Sequence, residues 1–289
     1  MSTTRTTGIV LPDASGRAGA LRVRRRRRPL TFAGPILVAV VVLFVIAPLV
    51  APMDPLAQDV AARLQGPSVE HWLGTDALGR DVFSRLLLGG TSALIGVAIA
   101  MATMMIIGIP WGLAAGYLGG TADEILMRIA DAFISLPGIV LAIAITGVVG
   151  PSLENSMIAV GVVIAPTIAR ILRSTVLPLR RSDFVLVARS LGVSAPRVAL
   201  RHVLPNSMGP VVVQICSLAA LCLVVQAGLA FIGLGVQPPD PSWGGDLANA
   251  YRRFTSSPLA TIAPGLTITL CALLLNVVGD GLRQRLRIE

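Results

Sequence analysis

The chain has 289 residues, 54% of them hydrophobic and only 13% charged, with a formal net charge of +9. Soluble domains average about 45–50% apolar and about 25% charged, so this composition, with a mean hydropathy of +0.79, excludes an ordinary soluble protein. All 24 basic residues are arginine, which removes the phosphate-reaching lysine of a Walker A loop and any Schiff-base lysine.

Residues 1–29 form a polar, arginine-rich tail with the composition of a disordered segment. The run Arg24–Arg28 directly precedes the first apolar stretch. That is the positive-inside pattern, and it suits anionic lipid headgroups rather than nucleic acid. Between Arg28 and Asp54 lie 25 residues without a charge, which predict a span over 30–51. The stretch is too long for a cleaved signal peptide, and no small-x-small site follows closely. After a polar segment at 53–88, the 37 charge-free residues between Arg85 and Asp123 predict a span over 89–117. A turn at Gly116, Gly119 and Gly120 leads into an amphipathic piece, Asp123–Asp131, where Glu124 and Arg128 have the spacing of a weak i,i+4 pair.

Spans are expected next at 132–150 and 155–172. The second of these is the marginal one: only 15 residues separate Glu154 from Arg170, so the two charges must reach toward opposite interfaces. A long polar loop covers 173–207. A fifth span is expected at 208–235, then the Pro-rich loop Gln237–Gly244, a sixth span at 258–279 and a basic tail, Gly281–Glu289. A helix needs about 20 apolar residues to cross a hydrocarbon core of roughly 30 Å, so the pattern predicts an all-α polytopic membrane protein with six transmembrane helices. That topology places nineteen arginines on the side of both termini and five (Arg63, Arg80, Arg85, Arg252 and Arg253) on the other, and so predicts cytoplasmic termini. Almost no ionisable group falls mid-span, which argues against a proton- or ion-driven pump. The three cysteines all fall in predicted spans, as small apolar residues.

The polar loop carries the most specific pattern. Ser182 can cap a helix with Asp183 in its first turn. Phe184, Val187, Ala188 and Leu191 then fall on one apolar stripe, and Gly192 suits the left-handed residue that ends such a helix. Ser194 can cap a second helix, with Pro196 in its first turn, expected to stop near Pro205. Two short helices off the membrane, bearing Arg189, Arg197 and Arg201, need either a protein partner or a lipid surface to dock against.

The spacing Ala188-x3-Gly192-x9-His202-x-Leu204-Pro205 resembles the "EAA" loop of permease subunits in binding-protein-dependent ABC importers. It departs at Leu186 and Val187, where the motif has Glu and Ala. The segment from His71 to Arg85, containing Leu73-Gly74-Thr75-Asp76 and Leu78-Gly79-Arg80-Asp81, is similar to one in the dipeptide/oligopeptide/nickel permeases. So are Gly116–Gly120 with Asp123, Met127, Arg128 and Asp131, the stretch Phe231–Pro239 with Pro241-Ser242-Trp243-Gly244, and Gly279–Arg283.

The resemblance implies the type I ABC importer permease fold and the second, C-type, of two non-identical permeases in a bacterial plasma membrane. It implies no catalytic site and no cofactor in this chain, with ATP and Mg used by two partner ATPase subunits. An extracytoplasmic binding protein would deliver a peptide, nickel complex or glutathione-type cargo. The docking loop, 178–207, would meet an ATPase through Phe184, Val187, Ala188, Leu191, Gly192, Arg201, His202, Leu204 and Pro205, with Arg128 and Asp131 bracing it. His71, Asp76, Arg80, Asp81 and Trp243 would form an outer segment, as a gate or a contact for the binding protein. A catalytic reading of Asp76 and Asp81 with His71 as base lacks a nucleophile or metal cluster beside it. No residues are assigned to bind substrate or metal.

Overall fold

The computed structural model describes residues 29–286, so the basic tail expected over 1–29 lies outside the described residues except for Pro29. The described chain is almost wholly helical. Helix α1 is Pro29–Val45 and α2 is Ala47–Val50. Helix α3 is Val82–Leu118, α4 is Gly120–Ser135, α5 is Gly138–Val149 and α6 is Leu153–Leu179. Then come α7 at Asp183–Ser190, α8 at Ala195–Val198, α9 at Leu204–Phe231, α10 at Trp243–Tyr251 and α11 at Pro258–Leu286. Among the described residues four helices are long and apolar enough to cross a membrane: α3, α6, the run Ala195–Phe231 and α11.

Expected and observed boundaries differ for physical reasons. The stretch 132–150 is not one helix. It breaks at Leu136-Pro137, and α4 and α5 bend by 91°. Proline disfavours helical geometry in the residue before it, and Leu136 is extended, at φ −91°, ψ 143°. The marginal stretch 155–172 lies within a 27-residue helix that is the most buried of the four. Arg170 and Arg173 do not end α6, because they pair with Asp131 and Asp123 on α4. Helix α9 stops at Phe231, and Gly233 (φ +85°) closes it with the amides of Gly233 and Leu234 on the carbonyls of Ala230 and Leu229. Helix α11 runs seven residues past the expected end at 279, to Leu286.

The axis of the molecule is the pairing of α3 with α6. Gly108, Gly112 and Gly116 form one stripe along α3. A Cβ on Gly108 would lie 2.7 Å from the carbonyl oxygen of Ala165, and one on Gly116 would lie 2.8 Å from Cβ of Val176. A Cβ on Gly112 would overlap the backbone of Ala169. Small residues let membrane helices approach backbone to backbone, where dispersion replaces the missing hydrophobic drive. Gly161 of α6 does the same toward Thr103. Three apolar clusters stack along this axis: one joining the polar loop to α3, α6 and α9, one mid-bundle around Met157 and Val160, and one around Phe44 and Trp243 at the far end.

Candidate functional site

At one end of the bundle α7 and α8 form the expected hairpin. Its turn is a complete Schellman closure: the amide of Gly192 donates to the carbonyl of Arg189 (2.9 Å), and that of Val193 to Ala188 (3.1 Å). Gly192 sits at φ +78° with nothing within 4 Å of a built Cβ, so backbone conformation rather than space selects glycine there. The second helix does not stop at Pro205. The backbone widens to a π turn over Ala199–Val203 and continues into α9. A widened turn relieves the clash between a proline ring and the preceding turn, and the Asn206 side chain donates to the carbonyl of His202 at 2.6 Å.

The hairpin has two faces. Val185, Val198 and Val203 are completely buried, in the same cluster as Leu172 and Val176 of α6. The predicted stripe faces the other way: Phe184 is 42% exposed, Val187 58% and Leu191 79%, with Leu200 at 59%. Ala188 is half-buried, its side chain packed against the core cluster. Arg181, Arg189, Arg197 and Arg201 are all exposed around this ridge, while Leu204 and His202 are half-buried and Pro205 is exposed.

Arg128 is exposed and forms no ion pair among the described residues, with Glu124 or any other partner. The tertiary ties at this end involve Asp131, the other residue of the expected pair, and groups that were not expected. Arg173 binds both oxygens of Asp123, with Nη2 to Oδ2 at 2.7 Å, and Arg170 pairs with Asp131; both join α4 to α6. Arg180 reaches back to the carbonyls of Gly116 and Tyr117, each at 3.4 Å. Arg189 of α7 lies over the Tyr117 ring, 5.3 Å from its centroid. None of these tertiary contacts was visible in the sequence, where Tyr117 sat only inside a glycine-rich match.

The outer residues gather at the opposite end. Asp76 accepts from the Arg80 side chain (Nε 2.7 Å) and from the amides of Leu78 and Arg80. Asp81 caps α3 by accepting from the Ser84 amide at 2.7 Å, and its other oxygen lies 3.1 Å from Nδ1 of His71. Each of these carboxylate oxygens is thus committed to holding the segment's shape. Trp243 is buried, donates Nε1–H to the Leu86 carbonyl at 2.8 Å and meets Phe44 edge-on at 5.3 Å. Sequence spacing missed the main tie here: Arg85 holds Asp246 of α10 through Nη2 at 2.6 Å and Nε at 3.0 Å, and donates Nη1–H to the carbonyls of Pro55 and Pro239. Burial pushes the Asp246 carboxyl up, against the downward pull of Arg85.

Residues 108–288, including the hairpin and α10, match the family of binding-protein-dependent transport system inner membrane components. The chain belongs to this family. The permease is 38% identical over 262 residues to the dipeptide transport system permease protein DppC of Alkalihalophilus pseudofirmus, covering 90% of this chain and 86% of that one. It is 40% identical over 222 residues to the glutathione transport system permease protein GsiD of Pectobacterium atrosepticum, covering 77% and 74%. It is 38% identical over 259 residues to the probable D,D-dipeptide transport system permease protein DdpC of Escherichia coli, covering 89% and 87%. Its backbone is similar to a chain of the MetNI methionine ABC transporter solved in inward-facing conformations, with a TM-score of 0.55 and 18% identity over 70% of this chain and 95% of that one. The permease is therefore a multi-pass transport component of the membrane with the fold of an ABC importer permease.

Proposed function

We propose that this permease moves short peptides inward through a pore shared with a second, homologous permease, powered by two separate ATPase subunits that use ATP and Mg. In this reading α1/α2, α3, the α4–α5 pair, α6, α9 and α11 provide six membrane passages, both termini and the hairpin are cytoplasmic, and the Trp243 end faces an extracytoplasmic binding protein. Peptide is the preferred cargo because relatives over most of the chain are named for dipeptides, and glutathione, the cargo named for another, is itself a small peptide.

One observation carries the coupling mechanism: the hairpin is welded to the bundle on one face and bare and apolar on the other. An ATPase groove closing on Phe184, Val187, Leu191 and Leu200 would move the hairpin. Val185, Val198 and Val203 would pass that movement to α6 and α9 as one packed unit, because close-packed interiors transmit strain. The ATPase drives the cycle only through a difference in affinity between its states for the hairpin.

The test is a mild-detergent purification of the tagged permease from native membranes, with mass spectrometry and with crosslinkers placed across 184–203. Recovery of a second permease and P-loop ATPases, crosslinked through the hairpin, is expected. Recovery of the permease alone, with crosslinks only to lipid, would replace this mechanism with a lipid-binding role for the loop.

A further inference from the structure

The five arginines that charge counting places on the minority side are scattered along the sequence at 63, 80, 85, 252 and 253. In the structure all five line one cleft of about 850 Å³, between the segment before α3, the end of α9, α10 and the start of α11. Topology does not account for this gathering, since the positive-inside rule calls for few cations there. Arg80 and Arg85 are already held by Asp76 and Asp246. Arg63, Arg252 and Arg253 form no ion pair or side-chain hydrogen bond among the described residues, and all three are exposed. The cleft's arginines outnumber its aspartates (Asp76, Asp240 and Asp246), an excess of two positive charges. Its remaining wall is largely apolar, with Phe231, Val236 and Trp243 among its residues. The volume falls within the roughly 300–1,000 Å³ of small-ligand pockets.

We propose that this cleft binds the free carboxylate of a short peptide, with Arg63, Arg252 and Arg253 as the guanidinium donors. Guanidinium groups bind carboxylates through paired, charge-assisted hydrogen bonds. A short peptide is a zwitterion with side chains between its charges. Asp240 in the same cleft, without an ion pair among the described residues, suits its ammonium end, and the apolar wall suits the side chains. The inference rests on the permease being a peptide importer with this end outward, and it gives the permease its own contact with cargo at hand-over.

The test uses the assembled complex with its second permease and ATPases, in nanodiscs of zwitterionic lipid and without the delivery protein. Equilibrium binding of labelled Ala-Ala is compared with that of its C-terminal amide. Ala-Ala is expected to bind saturably, and the amide at least about tenfold more weakly, the scale of a lost charge-assisted pair. The same loss is expected for Ala-Ala with Arg252→Gln/Arg253→Gln, and a smaller one with Arg252→Lys/Arg253→Lys, which keeps the charge without the fork. Gel filtration of each complex reports its integrity, and the amide arm needs no variant. Equal binding of peptide and amide, or unchanged affinity in the Gln variant, overturns the proposal. So does a variant that weakens only docking of the delivery protein, which would make these arginines a protein contact. ATP hydrolysis stimulated by peptide-loaded delivery protein, measured on the same wild-type complex, separates the failures. Stimulation without Ala-Ala binding removes the cleft site alone; no stimulation removes the import reading and this inference with it.

Discussion

The guanidinium of Arg189 sits 5.3 Å from the centroid of the Tyr117 ring and so ties the tip of α7 to the end of α3. The Tyr117 hydroxyl is buried without a hydrogen-bond partner among the described residues, so its one identified polar contact is through the ring face. A cation over an aromatic ring contributes about 0.5–1 kcal/mol when exposed and about 2 kcal/mol when desolvated. Arg189→Gln and Tyr117→Leu are therefore each expected to lower the peptide moved per ATP hydrolysed, in a complex that still assembles. The double variant should be non-additive by about 0.5–1 kcal/mol in thermal stability. Strictly additive losses would show that the two residues do not act through each other.

At Gly192 the open space around the built Cβ separates two causes that usually coincide. Nothing obstructs a side chain, so any penalty comes from φ +78°. A β-branched residue in this region is strained by at least about 1–2 kcal/mol, whereas asparagine tolerates it. Gly192→Val is expected to uncouple ATP hydrolysis from uptake while the permease still inserts, and Gly192→Asn to retain most coupling. If both variants fail equally, a surface fit at the ATPase rather than the turn selects glycine.

Local chemistry was legible in the sequence and tertiary chemistry was not. Gly192 acts on the backbone of its own turn, so its spacing predicted the hairpin, and Asp183 falls in the first turn of α7 as expected. Ser182 and Ser194 stand at the two N-cap positions but neither side chain caps its helix; the Ser182 hydroxyl donates back to the Leu179 carbonyl instead. Charge-free stretches placed α3, α9 and α11 within about two turns. The same counting shortened α6, because the partners of Arg170 and Arg173 lie 39 and 50 residues away on α4. Of the two residues expected to brace the loop, Asp131 pairs with Arg170, whereas Arg128 is exposed. Pro205 was taken as a stop because the π turn that accommodates it has no local sequence mark.

The α3–α6 contact makes a sharper packing prediction. A Cβ on Gly112 would collide with the carbonyl of Ala169, which is backbone and cannot swing aside, whereas one on Gly147 of α5 meets nothing. Overpacking costs about 1–3 kcal/mol even where side chains can adjust. Gly112→Val is expected to abolish recovery of monodisperse complex after detergent extraction, and Gly147→Ala to leave recovery unchanged. Normal recovery of Gly112→Val would mean that α3 and α6 can separate without loss of the fold.

The Arg85–Asp246 pair makes the corresponding test at the outer end. The Arg85 side chain is 5% exposed and that of Asp246 18%, and Arg85 also carries the Pro55 and Pro239 carbonyls. Removing one member of a buried pair leaves an uncompensated charge, at about 3–5 kcal/mol, while replacing both can be nearly neutral. Asp246→Asn strands Arg85 and should lower the thermal midpoint of the complex. Arg85→Gln strands Asp246 and also frees two carbonyls from separate segments, so it should be the more damaging. The double variant should recover part of the Asp246 loss but not the part due to the carbonyls. A double variant as unstable as the sum of the two would mean that Arg85 serves the loops alone, with Asp246 a bystander.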